Sequence, residues 1–444
     1  MTDPSPEPIP GDDPSLLVAA PSTRTSLWRH GGFLRLWAGQ TASQFGAQLG
    51  GLAIPVLAVQ VLAATEFQIG LLNALQTAAF LVIGLPAGAW IDRWIKRRVM
   101  ILADLVRALS LALIPVLWFA GILEFWHILV IATVIGVATV FFDVSYQSFL
   151  PVLVPRDDIA EANSKLEGTS QIARVGGPAL AGGLLAIVQA PVLLAGTAFT
   201  YLLSMTALLS IRDRETPKPR SERRPLVVEI REGVAFVVRQ PLLRRIVLCT
   251  GVGNFFNTIA LTMLPILVLR HLGLGAPLFG LIGSIGAIGG ILGALFAARL
   301  GKILGEGTVI PLSATLLGFA LLLTPLAGMF PTAAIPLLIA MEFVLSVTVL
   351  VYNVTQVSFR QRICPPALLG RMNASIRFFV WGVMPIGALL SGVLAATIGV
   401  VPTMWIGAVG TLLSAAFVVF SPLLGMRALP DTMVPAATAE SGIS

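Results

Sequence analysis

The sequence predicts an all-α membrane protein: about twelve transmembrane helices arranged as two pseudo-symmetric six-helix bundles. Three observations predict it. Of the 444 residues, 56% are hydrophobic and only 11% are charged, against roughly 25% charged in a soluble domain. No soluble core hides that much apolar surface, and splitting the chain into several soluble domains makes matters worse because each needs its own polar cover. The apolar stretches are long and unbroken, which in lipid means helices rather than the short alternating strands of a barrel. Finally, the chain repeats itself at an offset of about 210 residues.

The elements follow from the apolar runs. These fall at 36–62, 69–91, 99–120, 125–149, 166–189, 191–211, 243–269, 278–300, 309–329, 333–359, 374–398 and 402–424. Each has about the 20 residues needed to cross a hydrocarbon core. The fifth and sixth are separated only by Gln189, Ala190 and Pro191. The repeat aligns without gaps: Phe45 meets Phe255, Pro55 meets Pro265, Gly70 meets Gly280, Gly177 meets Gly387 and Gly182 meets Gly392. The predicted layout is a disordered tail at 1–30, a first bundle at 31–211, a polar linker at 212–242, a second bundle at 243–425 and a tail at 426–444. The linker ends in an amphipathic stretch, Leu226 to Arg239, suited to a helix on the membrane surface.

The net charge of +7 sits in short connections, where it sets orientation rather than binding nucleic acid. Arg93, Arg97, Arg98, Arg156, Lys165, Lys302, Arg360 and Arg362 share one side with the linker. Both termini are therefore expected in the cytoplasm, with a multi-pass location in the cell membrane. The N-terminal tail lacks a signal-peptide pattern. Cys249 and Cys364 fall in different segments with no metal-ligand spacing, so neither a disulfide nor a metal is expected.

The connection after the second run reads Gly84-Leu-Pro-Ala-Gly88-Ala-Trp-Ile-Asp92-Arg93-Trp-Ile-Lys96-Arg97-Arg98. Gly84 and Gly88 allow close approach of a helix from the other half, Asp92 offers an acceptor, and Arg93, Arg97 and Arg98 suit lipid headgroups. A purely topogenic basic loop is the alternative. This stretch resembles the signature loop of the major facilitator superfamily. The resemblance implies a latch on the cytoplasmic side, although Ile95 stands where the family often has glycine and the repeat mate near Lys302 lacks Asp-Arg. On the fifth run, Gly176-Gly177-Pro178 and Gly182-Gly183 are similar to the superfamily's antiporter motif, with one extra residue of spacing; tight packing alone also accounts for them. Together with Phe141-Phe142-Asp143, the pattern looks most like the branch of siderophore exporters and macrolide-efflux proteins.

Ionisable residues inside the membrane default to functional candidates. Asp104 and Arg107 share one face of the third run, with Arg107 about 12 Å from the cytoplasmic surface. Asp143 and Arg174 fall at similar depth, and Arg377 is a possible relative in the second half. Unpaired charges there would cost several kcal/mol, so pairing among them is expected, as a moving network or a fixed tie. Glu342 lies about 15 Å deep, near mid-membrane, and its repeat mate is Ala132. It is the leading candidate for proton or cation coupling, with Asp143 and Asp104 behind it. Gln40, Gln44 and Gln48 on the first run, Asn73 and Gln76 on the second, and Asn254 and Asn257 on the seventh are candidates for a substrate cavity or for interhelical hydrogen bonds.

Neither a Walker loop nor an HExxH or GxSxG motif is present, so the chain is read as no enzyme and no cofactor is expected. The expected function is a secondary active transporter, a proton-coupled exporter of a lipophilic or amphipathic small molecule by alternating access. An importer or facilitator of a small metabolite and a non-transporting scaffold are the alternatives. The expected partners are the bilayer, the substrate and protons, with no nucleic acid, and the chain is expected to act as a monomer.

Overall fold

The structure is a computed structural model that describes residues 27, 30–91, 94–155, 158–211, 234–364 and 369–427 of the chain. Its first half holds α1 (Gly31–Val61), α2 (Glu66–Ile91), α3 (Lys96–Phe119), α4 (Phe125–Leu153), α5 (Ile159–Leu185) and α6 (Ala190–Ser210). The second half holds α7 (Pro241–His271), α8 (Ala276–Leu304), α9 (Glu306–Met329), α10 (Ala334–Ile363), α11 in two pieces (Leu369–Gly382 and Met384–Ile398) and α12 (Val400–Val419). Eleven helices among the described residues are long and apolar enough to span a membrane. The exception is α5, whose first turns carry Glu161, Lys165 and Glu167 before the chain turns apolar.

Each helix of the second half starts about 210 residues after its counterpart, as the repeat requires. The agreement extends to irregularities. Both α1 and α7 end in a π-helical turn, Leu57–Val61 and Leu267–His271. Pro55 and Pro265 stand just before these turns; the missing proline N–H loosens the regular ladder where the register widens. The two halves also tie their last helix in the same way. Arg35 Nη1 donates to the Ser210 carbonyl at 2.6 Å, and Arg245 Nη1 donates to the Phe420 carbonyl at 2.6 Å.

The end carrying the α2–α3 and α4–α5 connections is the basic end of the molecule. At the opposite, far end one apolar cluster runs through both halves and includes Leu57, Val59 and Ile69 with Leu267, Leu269 and Ile282. Towards the basic end the clusters belong to one half each: Phe33, Phe142 and Phe149 in the first, Ile246, Phe359 and Met372 in the second. The halves are thus joined at the far end and packed separately at the basic end. The predicted stretch 226–239 is described only at 234–239, which is helical; the rest of the predicted linker at 212–233 lies outside the described residues, as do most of the two predicted tails.

Candidate functional site

Two seams join the halves, α2 with α11 and α5 with α8. Glycine makes both possible. A Cβ on Gly70 would stand 2.6 Å from the Gly392 Cα, and one on Gly182 would stand 2.7 Å from the Ala276 carbonyl oxygen. A side chain on Gly280 would collide with the Pro178 carbonyl. The Ala179 N–H donates to Ser284 Oγ across the same seam at 2.8 Å. Of the predicted motif on α5, Pro178 and Gly182 face α8, Gly177 packs on the Gln48 side chain of α1, and Gly176 and Gly183 meet nothing within 4 Å.

The first half carries a buried charged group. Asp104 and Arg107 of α3 form an ion pair, with side-chain exposures of 0% and 5%. The Arg107 guanidinium carbon lies 4.2 Å from the Phe142 ring centre and 4.3 Å from that of Tyr201, so two aromatic faces replace part of its hydration. Asp143 of α4 is half-buried and within electrostatic reach of Arg107. Asp104 Oδ2, Arg107 Nε and Gln40 Oε1 are buried with no protein partner. Of the residues expected to pair, Asp104 and Arg107 meet, while Asp143 stands nearby without an ion pair among the described residues. Arg174 and Arg377 stay out of it: both are exposed, and Arg377 lies 5.6 Å from the Trp381 ring centre. Long basic side chains near open water lose less by hydration than by pairing in the interior.

Glu342 sits on α10 against the glycine face of α8. A Cβ on Gly286 would stand 2.9 Å from Glu342 Oε2, and one turn away Gly283 touches Pro178 of α5. No basic side chain pairs with this carboxylate among the described residues. The predicted acid thus lies about one helical turn from the α5–α8 seam.

The amides divide. Asn254 Nδ2 donates to the Val380 carbonyl at 3.1 Å, and Asn254 and Asn257 line a cavity of about 80 Å³ inside the second half. Gln44, Gln48, Asn73 and Gln76 are half-buried, and Gln76 presents its backbone to Gly136 of α4. In the signature loop, Asp92 and Arg93 lie outside the described residues, as does the side-chain environment at Gly88. Gly84 does not make the expected close approach; a Cβ there meets nothing within 4 Å. In this conformation α2 presses on α11 at Gly70 instead, about 21 Å nearer the far end. Arg97, expected to reach headgroups, donates to the Leu208 and Leu209 carbonyls at 2.8 and 2.7 Å. It caps the C-terminus of α6, whose last carbonyls have no partner within the helix. Arg98 is exposed.

A family of the major facilitator superfamily, described as transmembrane secretion effectors, matches residues 22–438. The chain belongs to this family. The family and the fold make it a membrane transporter and no enzyme. Macrolide efflux protein A of Streptococcus pyogenes is 23% identical over 89% of this transporter and 97% of its own length. The multidrug efflux pump Tap of Mycolicibacterium fortuitum is 27% identical over 78% of this transporter and 85% of its own length. A bacterial homologue of the iron transporter ferroportin, solved in an inward-facing state, shares the fold with a TM-score of 0.72 and 16% identity, covering 89% of this transporter and 99% of that chain.

Reading the sequence of this transporter missed one tie between its halves. Arg270 Nη2 donates to the Ala64 carbonyl at 2.6 Å, and its Nη1 lies 3.5 Å from Glu66 Oε1. Arg270 and Glu66 lie 204 residues apart, so their meeting leaves no local spacing signal. Tyr352, which shares a 2.8 Å hydrogen bond with Thr250, was equally silent because its first-half mate is Phe142.

Proposed function

We propose that this transporter is a proton-coupled exporter of a lipophilic or amphipathic small molecule, working by alternating access in the cell membrane as a monomer with both termini in the cytoplasm. The observation that carries the reading is Glu342 of α10: an acid without a basic partner among the described residues, packed against the glycine face of α8, one turn from a seam between the halves. When that seam opens, water reaches the carboxylate and the proton exchanges; when it closes, that exchange stops. Asp143 and Asp104 form a second proton-handling group held by Arg107. In this reading the state with the far end closed is the inward-facing one, in which a substrate enters from the cytoplasm or the inner leaflet. Efflux-type relatives support the outward direction. Asp92 and Arg93 close the basic end in the opposite state.

The test is efflux from vesicles under an imposed pH gradient. Glu342→Gln is expected to abolish proton-driven efflux while energy-independent exchange of substrate continues; coupling equal to the parent protein would sink the assignment. For the latch, Asp92→Asn is expected to raise cysteine labelling at the basic end, and unchanged labelling counts against it.

A further inference from the structure

We infer that a groove on the lipid-facing side of the first half binds a phospholipid with an anionic headgroup, its acyl chain lying between α3 and α4 and its phosphate at Arg98. Three observations lead there.

The first is where the groove lies. Val99, Leu102 and Val106 of α3 and Val134, Val137 and Phe141 of α4 form its walls, around a volume of about 850 Å³. Leu102, Leu109 and Val116 follow one another at seven-residue spacing on one face of α3, and all three are exposed. In a chain that spans a membrane, such a face meets acyl chains rather than water. The lining takes nothing from α2, α5, α8 or α11, the helices of the two seams. An occupant therefore does not pass between the halves, and it comes from the bilayer.

The second is depth and polarity. From Ile95 to Val106 the α3 wall runs about 16 Å, half of a ~30 Å hydrocarbon core. The groove thus has the length of one leaflet, and it starts at the basic end. Trp94 and Arg98 stand at that mouth. Trp94 stacks on Phe141 with ring centres 6.1 Å apart, and indole rings favour the headgroup level. Neither the Trp94 N–H nor the Arg98 guanidinium has a partner among the described residues, so both can donate to a phosphate. Deeper in the groove, Thr133 Oγ1 donates to the Leu129 carbonyl of its own helix at 2.8 Å. No acidic side chain is present in the lining to receive the amine of a zwitterionic headgroup.

The third is the contrast with the repeat mate. Where the first half has Trp94, Lys96 and Arg98, the second has Leu304, Glu306 and Thr308. Glu306 pairs with Arg362. Val309 and Val351, the mates of Val99 and Phe141, are buried, whereas Val99 and Phe141 stay half-buried in the groove wall. The same fold packs this place shut beside an acid in one half and keeps it open beside a base in the other. General solvation by lipid requires no such difference.

The experiment is fluorescence quenching in vesicles that hold the purified full-length protein. Leu102→Cys carries a bimane label, while the native Cys249 and Cys364 are buried. Phosphatidylglycerol and phosphatidylcholine are mixed in known ratios, with each in turn brominated at mid-chain, so that quenching reports relative occupancy. Leu312→Cys, the repeat mate and also exposed, is the control position. Phosphatidylglycerol is expected to be preferred at least about fivefold at Leu102, the weight of one basic side chain near a membrane surface, and no more than about twofold at Leu312. Arg98→Gln should bring the preference at Leu102 down to that at Leu312; Arg98 is exposed, so the fold tolerates the change. Glycerol phosphate in solution should leave the quenching unchanged, and relief by it would assign the site to a free phosphate and overturn the inference. Equal preference at the two labels, or a preference indifferent to Arg98→Gln, overturns it as well. So does loss of quenching by both lipids as the protein-to-lipid ratio rises, which would mean that a second copy of the chain covers this face.

Discussion

Gly70 of α2 and Gly392 of α11 meet backbone to backbone, closely enough that a Cβ on the first would stand 2.6 Å from the Cα of the second. Their repeat mates, Gly280 and Gly182, meet each other in the second seam, where a Cβ on Gly182 would stand 3.2 Å from the Gly280 Cα. Each glycine thus contacts the mate of its partner. Such crossed pairs are what two equivalent halves facing one another must produce, and they place the closest contact at the far end. Without a hydrophobic driving force in lipid, this close packing is itself the attraction between halves.

A wedge at this point should open the far end. Gly70→Val requires a shift of backbone, because no flexible side-chain tip is available to give way. The expected outcome is at least about a tenfold rise in alkylation of a cysteine placed at Gln76 by a reagent supplied from the far side, equivalent to about 1.4 kcal/mol in the opening equilibrium. Gly84→Ala, where a Cβ meets nothing within 4 Å, is the control and should leave alkylation unchanged. Equal effects of both would show that the seam is not where the halves are held.

The Asp104–Arg107 pair makes a prediction about stability. Removing one partner of a buried pair strands the other, at about 3–5 kcal/mol, whereas replacing both with apolar groups is often neutral. The second half already carries that replacement, Ala314 with Leu317. Arg107→Leu alone and Asp104→Ala alone should each lower the thermal midpoint strongly, while the double variant recovers most of the loss. The double variant should still transport substrate more slowly or with altered proton coupling if the group has a role beyond structure. Equal midpoints for the singles and the double would show that the two charges are not energetically coupled.

The fold and the three acids inside the apolar runs were legible in the sequence for different reasons. Helix number, the repeat and the pairing of Gly70 with Gly280 as mates follow from apolar length and one constant offset, signals that lipid enforces over the whole chain. Asp104, Asp143 and Glu342 stood out because a charge inside an apolar run is rare. Which glycines touch was not legible, since Gly84 and Gly70 look alike on paper and only the relative tilt of the halves separates them. The role of Arg97 was hidden for a similar reason: its acceptors are backbone carbonyls on a helix more than a hundred residues away, and carbonyls leave no trace in sequence. Arg174 looked like a member of the charged group because depth alone was considered; the face of α5 that carries it is exposed.

Arg270 holds the far end by two contacts of unequal value. The 2.6 Å hydrogen bond to the Ala64 carbonyl is charge-assisted, and such bonds contribute about 1.5–3 kcal/mol. The 3.5 Å approach to Glu66 joins two side chains that are 33% and 28% exposed, so screening leaves about 0–1 kcal/mol. Arg270→Ala should therefore shift the opening equilibrium of the far end at least about tenfold, and Glu66→Gln no more than about fivefold. Distances between spin labels across the far end measure the two populations. A larger effect from Glu66→Gln would mean that the ion pair, not the backbone bond, is the tie.

Arg35 and Arg245 test whether the halves remain energetically equivalent. Each donates at 2.6 Å to a carbonyl at the C-terminal end of the last helix of its half, Ser210 at the end of α6 and Phe420 just after α12. The bond satisfies a carbonyl the helix leaves open, and a cation there also complements the helix dipole. Both sites are close to solvent, so each contribution falls to about 1 kcal/mol. Arg35→Ala and Arg245→Ala should cost the same in denaturant unfolding. Their double variant should cost the sum, because the sites lie in different halves and share no partner. At α6 the Arg97 guanidinium caps Leu208 and Leu209, so Arg35→Ala leaves only the Ser210 carbonyl bare and the equality should hold. A markedly greater cost for Arg245→Ala would instead mean that Arg97 takes over the bond to Ser210 when Arg35 is lost.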